Sequence, residues 1–338
     1  MAKVRTPMFP RDGAGSFKVP ATKEGAIQCM VSLHKFLEIY TPEETFMFQT
    51  PESFDPERTN PNAMFINAKT ADVGSASPFV ARTILMAKEM LNGGFLLDKP
   101  RREQVMMLMH KIKNSLVQCS QAADAYKSSV RAETEAFRLS NGKKAQGNRS
   151  LEKFPVVPDL EAKLTAFLIP ARRVITEVCQ IPTYFWSTKK SHSDPEHLVK
   201  MELIPFLGED HRMIHWLNNI LGTIKHVIDL RNGQEHITTT KGQALIFKNF
   251  HMLPSNQVCI PVWYLDGGTP TDIGEEMATI TTALLQFAEV MFVACVDANL
   301  PEFPPLLLTH DDKPDPNCPV IYKLIFDQTK FQFPLKDG

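Results

Sequence analysis

Residues 211–236 read HRMIHWLNNILGTIKHVIDLRNGQEH, and their pattern decides how the second half of the chain folds. Met213, Trp216, Leu217, Ile220, Ile224 and Val227 recur at three- and four-residue spacing. At about 100° per residue they fall on one face of a helix. Glu209 and Asp210 precede that face, where acidic groups complement the positive end of a helix dipole. The predicted helix runs from Asp210 to Leu230. Arg231 continues its apolar series, roughly 200° round from His211 and level with Met213. A guanidinium on a buried face is costly unless it meets an anion or a set of acceptors. Arg231 therefore marks a candidate site.

Working outward, Gln243 to Phe250 and Gln257 to Leu265 read as two strands. Ile273 to Ala298 reads as a second long helix. Upstream, Asp159 to Ile181 is predicted helical, with Pro170 kinking or dividing it. The spacing of Arg231, Asn232 and His236 resembles the R-(N/D/H)-x-x-x-H motif of the HEPN superfamily (higher eukaryotes and prokaryotes nucleotide-binding domains). It is the one R-x(4–6)-H pair in the chain. In that superfamily a helix runs into the motif, a short and often β-containing insert follows, and a terminal helix closes the bundle. The resemblance covers residues 155–300.

What the resemblance implies is a metal-independent endoribonuclease acting on single-stranded RNA, in which a ribose 2′-OH attacks the adjacent phosphate. His236 would be the general acid or base, because imidazole titrates near neutrality. Arg231 would hold the phosphate with its planar fork of donors. Asn232 would orient groups or cap a helix. Residues five apart on an unbroken helix lie about 140° apart, so Gly233 is expected to supply a break that lets Arg231 and His236 converge. The family also shares its site between subunits, which implies a homodimer. The plain alternative is an Asn-Gly helix stop flanked by unrelated charges.

Composition sets the frame. The chain has 338 residues, 43% hydrophobic and 22% charged, ordinary values for a soluble globular protein of up to two domains. A net charge of −1 supplies no global basic field for nucleic acid. An RNA substrate would need a local patch. The most basic region, Arg101 to Lys153, holds 11 basic and 5 acidic residues. It is either a solvated face or a phosphate-binding patch, and Lys143, Lys144 and Arg149 are its substrate-binding candidates. The six cysteines show no zinc or redox spacing and read as buried thiols in a reducing compartment. The N-terminus lacks the apolar core of a signal peptide. Ala278 to Val296 is the most apolar long window, read as a buried bundle helix rather than a span because it carries Thr, Gln and Glu side chains. The expectation is a cytoplasmic protein with no membrane and no cofactor.

In chain order, residues 1–20 read as an extended arm and Thr22 to Tyr40 as a helix stopped by Pro42. Residues 41–76 read as an irregular connection. Ser77-Pro78 starts a helix that Asn92-Gly93-Gly94 ends. Arg101 to Leu139 has the clearest periodicity, with Val105, Ile112, Cys119 and Tyr126 at one heptad position and Met109, Leu116, Ala123, Val130 and Phe137 at the other. Such a helix needs a partner along its length, either in its own chain or from a second subunit. Ser140 to Pro158 reads as the domain boundary. Tyr184-Phe185-Trp186 could stack bases but fits core packing better. After a Pro-rich crossing, Val320 to Phe326 reads as a strand that could join the earlier two.

The sequence thus predicts a mainly α protein: a helical region over 1–150 with one long helix, a HEPN-like helical bundle with a small β-hairpin insert over 151–300, and a Pro-rich crossing and strand over 301–338. The runner-up function is a non-catalytic scaffold or binding protein on the same bundle. A third reading is a metal-dependent enzyme using His211 and His215, four apart on a helix, with Glu209 or Asp210 as carboxylate. On angle, the two histidines belong to the polar face opposite the core. The leading reading includes no metal.

Overall fold

The structure, a computed structural model, describes residues 19–20, 23, 25–92, 94–141, 154–186, 194–235, 243–255 and 257–327. Its elements in chain order begin with strands β1 (Cys29–Leu33), β2 (Phe36–Tyr40) and β3 (Thr45–Gln49). Helix α1 (Pro51–Phe54), strand β4 (Ile66–Ala71) and helix α2 (Pro78–Val80) follow; α2 continues through a π-helical turn, Ala81–Leu85, into α3 (Met86–Leu91). Next come α4 (Lys99–Asn141), α5 (Leu160–Val178), α6 (Ile181–Trp186) and α7 (Pro195–Leu198). A second π turn, Val199–Leu203, leads to α8 (Ile204–Leu207) and then α9 (Arg212–Glu235). Strands β5 (Leu245–Lys248), β6 (His251–Met252), β7 (Val258–Cys259), β8 (Val262–Leu265) and β9 (Thr271–Asp272) precede α10 (Ile273–Asp297), and β10 (Leu306–His310) and β11 (Tyr322–Phe326) end the chain. The fold is mixed and mainly helical, with small sheets.

Two compact units divide the chain, one built from residues 1–113 and 295–338, the other from 114–294. The divisions fall inside α4 and α10 rather than at Ser140–Pro158, where composition placed the boundary. An interior helix carries no turn residues to announce a boundary.

The first unit corrects the expected N-terminal helix. Thr22 to Tyr40 contains two strands, and residues 41–76 contain two more, forming one antiparallel sheet in the order β1-β2-β3-β4. Spacings that read as helical also alternate: Val31 and Leu33 are buried while Met30 and Ser32 are exposed. The hairpin pairs Leu33 with Phe36 across a two-residue turn, His34-Lys35, with His34 at φ 30°. Such turns usually advertise themselves with Asn or Gly; this one does not. Val320 to Phe326 does supply a strand, β11, but it pairs with β10 in a separate sheet and not with the strands that follow α9.

The start at Ser77-Pro78 is as expected, with Ser77 extended at the N-cap and Pro78 in the first turn. So is the long helix: Val105, Met109, Ile112, Leu116, Cys119, Ala123 and Tyr126 are all buried within this chain.

In the second unit α5 packs along α9. Strand β5 pairs antiparallel with β8, which pairs with β9, giving the small β insert expected between the two long helices. Trp263 on β8 is fully buried, its ring 6.4 Å from that of Phe167 on α5. The aromatic run packs too, with Phe185 buried 6.2 Å from Phe292 and Trp186 stacked 5.4 Å from Phe206. Asp272 caps α10 by accepting from the backbone N–H of Gly274 at 2.6 Å and of Glu275 at 3.1 Å. Helix α10 is long and apolar enough to cross a membrane, yet 72% of its most apolar window is buried within the protein.

Helices α9 and α10 run antiparallel. His226, near the end of α9, bonds Glu276, near the start of α10. Trp216 and Gln286, each about ten residues further from that bond, still line one cleft of about 560 Å³. A parallel pair would set those two side chains roughly 30 Å apart at 1.5 Å per residue.

Gly233 allows β5 to lie against α9. A Cβ on it would stand 2.6 Å from the Gln243 carbonyl oxygen and 2.9 Å from the Leu245 nitrogen. Gly222, on the same helix, faces open space. The two therefore predict opposite outcomes. Gly222→Ala should stabilise by up to about 1 kcal/mol through helix propensity. Gly233→Ala gains the same propensity but overpacks against backbone, which costs about 1–3 kcal/mol and outweighs it. Urea denaturation of both variants checks the pair; equal stabilisation would show that β5 does not press on Gly233.

Candidate functional site

The last turn of α9 carries Arg231 and Asn232. The helix does not break at Gly233; it continues through Asn232-Gly233 to Glu235. Both expectations about this dipeptide, a break that closes a site and a plain helix stop, are therefore corrected. The physical reason is the approach of β5: Gly233 is buried there because only a residue without Cβ fits.

Arg231 lies where the helical series places it, along the packed side, with 14% of its side chain exposed. Its acceptors come from its own helix. Nη1 donates to Gln234 Oε1 at 3.2 Å, and Nη2 donates to Glu235 Oε1. Gln234 Nε2 in turn donates to Thr165 Oγ1 on α5 at 2.6 Å. The corner is a chain of side chains from the end of α9 to α5. Asn232 is exposed. His236, Lys143, Lys144 and Arg149 lie outside the described residues. Of the motif, then, the structure places Arg231 and Asn232.

His211 is half-buried just before α9, and His215 is exposed in its first turn. His211 Nδ1 accepts from the backbone N–H of Met213 at 3.4 Å, a capping role at the helix start. Among the described residues no group of three or more His, Cys, Asp or Glu side chains could hold a metal ion.

Sequence reasoning missed two clusters. In the second unit Glu276 accepts from three elements: His226 Nε2 of α9 at 2.6 Å, Trp263 Nε1 of β8, and Thr271 Oγ1 of β9. Burial works against its charge, but the donors from His226, Thr271 and Trp263 outweigh burial and hold the carboxyl below its ordinary value. The bond to Glu276 raises the His226 pKa against the opposing effect of burial. His226 and Glu276 are 50 residues apart in sequence, so no local motif joins them.

The first unit holds a drier cluster. Glu38 accepts from Lys113 Nζ at 2.9 Å on both oxygens, from His110 Nδ1 at 3.1 Å, and from the Tyr40 hydroxyl. Burial would raise the Glu38 pKa, yet the His110 bond and the Lys113 charge bring it down to about 2. Lys113 is pulled the other way: burial lowers its pKa and Glu38 offsets only part. Three donors converge on the carboxylate while the ammonium has one anionic partner, so the charge on Glu38 is the better held of the two. The only signal in the sequence was Glu38 in an apolar run, which reads equally well as the outer face of a helix.

The Glu276 pair makes stability depend on pH in a defined window. His226 is raised in the fold, so its contribution is full below the unfolded value of about 6.5 and fades as pH climbs through the folded value. Glu276 is lowered, so its contribution is full above the unfolded value of 4.5 and fades as pH falls through the folded one. The pair should therefore contribute most between about pH 4.5 and 6.5. With 40% of the His226 side chain exposed, the effect should be at most about 1 kcal/mol. Melting wild type and His226→Gln across pH 4 to 9 checks this: the gap should be widest near pH 5–6 and nearly closed at pH 9. Compared with known proteins, the chain matches no family model, no curated protein and no solved structure.

Proposed function

We propose that residues 155–300 form a HEPN-like helical module and that the chain is a metal-independent endoribonuclease acting on single-stranded RNA. One observation carries the reading: the order of parts in space. Helix α9 carries Arg231-Asn232 near its end, the β5/β8 insert follows, and α10 returns antiparallel along α9. In this reading a ribose 2′-oxygen attacks the adjacent phosphorus, the 5′-oxygen leaves, and a 2′,3′-cyclic phosphate remains. Arg231 holds the phosphate oxygens, and His236 moves the proton. Lys143, Lys144 and Arg149 supply backbone contacts that the acidic neighbourhood of α9 lacks.

The Arg231–Glu235 pair is compatible with this role. Glu235 is 44% exposed, and an ion pair so open to water is worth roughly 0–1 kcal/mol. A phosphate that accepts two parallel bonds from the guanidinium can displace it. The reading includes a homodimer: α4 buries its heptad positions from Val105 to Tyr126 within its own chain, while Val130 and Phe137 further along are only half-buried.

A second reading, the same module without catalysis, is favoured by a specific observation. Arg231 already has acceptors in Gln234 and Glu235, and Gln234 carries the connection on to Thr165. In that case Arg231 is a clamp between α9 and α5.

One assay separates them. Purified protein should cut single-stranded RNA in the presence of a chelator, leave DNA intact, and yield 2′,3′-cyclic phosphate ends. His236→Ala should lose on the order of 10²–10⁴ in rate. Glu235→Gln should bind RNA more tightly, because it frees Arg231. If several RNAs stay uncut by folded wild type, and Arg231→Lys alters only the melting temperature, the clamp reading replaces the nuclease.

A further inference from the structure

A cavity of about 430 Å³ lies beside β1 in the first unit. Its wall includes Met30, Val31, Ser32 and Leu33, four consecutive residues of one strand. Successive strand residues face opposite sides of a sheet, so a cavity that touches four in a row meets the strand edge-on. Strand β1 is the end strand of its sheet, and among the described residues no strand pairs with its outer edge. The opposite wall comes from the end of α3 and the first turns of α4, with Leu91, Arg102 and Met106. A trough between an edge strand and a helix is the setting in which extended peptides add a strand, through main-chain bonds to the edge and side chains in the trough.

The two edges of this sheet are treated differently. Edge strands are usually blunted by Lys, Pro or a bulge. The far edge, β4, has Lys69 and a register shift against β3. Strand β1, CMVSL, has no charge and no proline, and Met30 is 47% exposed. The trough is also cationic: Lys88 and Arg102 line it against one carboxylate, Glu103. Lys88 reaches across to β1, donating to Cys29 Sγ at 3.1 Å. Glu103 has Lys99 as a partner at 3.9 Å.

We propose that the β1 edge binds an extended acidic peptide, which adds as a fifth strand and sets a carboxylate beside Arg102 and Lys88. Backbone bonding to the edge supplies much of the affinity, and the cationic wall supplies the choice of side chain. The proposal concerns the first unit and is independent of the nuclease reading.

The probe is a fluorescein-labelled heptapeptide of alternating valine and threonine with a central glutamate, capped at both ends. Two controls replace the glutamate with lysine or the central residue with proline. Fluorescence anisotropy on the full chain should give saturable binding to the glutamate peptide, at least tenfold weaker for either control. Arg102→Glu should reverse the preference between glutamate and lysine. Hydrogen exchange should slow in residues 29–34 when the peptide is bound and stay unchanged in residues 66–71. Equal binding of the charged peptides, protection at β4 instead of β1, or no saturable binding at millimolar peptide would each overturn the proposal.

Discussion

A carboxylate taken out of water must meet donors, and that requirement organises both units of this protein. Desolvating an isolated carboxylate costs several kcal/mol, far more than any single contact nearby returns. Glu276 meets the demand by drawing one donor each from α9, β8 and β9 while standing on α10. Strand register, the placement of the insert and the approach of two long helices are then fixed together, since a slip in any of them leaves a charge unpaired. Glu38 does the same for the first sheet and α4, with Tyr40 from its own strand and His110 and Lys113 from the helix. In each case the carboxylate acts less as a source of stability than as a condition that wrong arrangements fail.

The sequence displayed those elements whose signal is local. Helix α4 was readable because its heptads meet no Gly or Pro and its seam is filled over more than twenty residues. Helices α9 and α10 and strands β5 and β8 between them were readable from their periods and caps, whereas the short β6 and β9 were not. The N-terminal sheet was not. Its first hairpin turns on His34-Lys35, which carries none of the usual turn residues, and its fourth strand, INAKTA, has one large apolar side chain, Ile66. What decides there is pairing with partners many residues away, and propensity yields to it.

The candidate site divides along the same line. The position of Arg231 on the packed side of its helix followed from angles alone, and so did the need for acceptors. Which acceptors it takes did not follow, although Glu235 stands four residues on and in reach on any regular helix. Gly233 was read as a break because glycine disfavours helix; the neighbour that needs its missing Cβ, the backbone from Gln243 to Leu245, is a tertiary fact. His226 and Glu276 could not be joined without the fold, because nothing in either segment names the other.

The first unit is assembled from both ends of the chain, and this has a consequence for how the protein is made. Strand β11 packs against α3, and Ser75 donates to the carbonyl of Asn317 at 2.7 Å. A ribosome that has finished residue 113 must add residues 114–294 before these partners exist. At roughly 5–20 residues per second that is a wait of about 10–40 s. The second unit, continuous in sequence, can form during the wait. Its most apolar helix, α10, is also its last, so α5 and α9 have left the exit tunnel before α10 needs cover. The nascent chain therefore carries a complete amino-terminal sheet in an unfinished unit, still without β10 and β11, throughout much of its synthesis, and that interval is when holding factors or premature pairing would act on it.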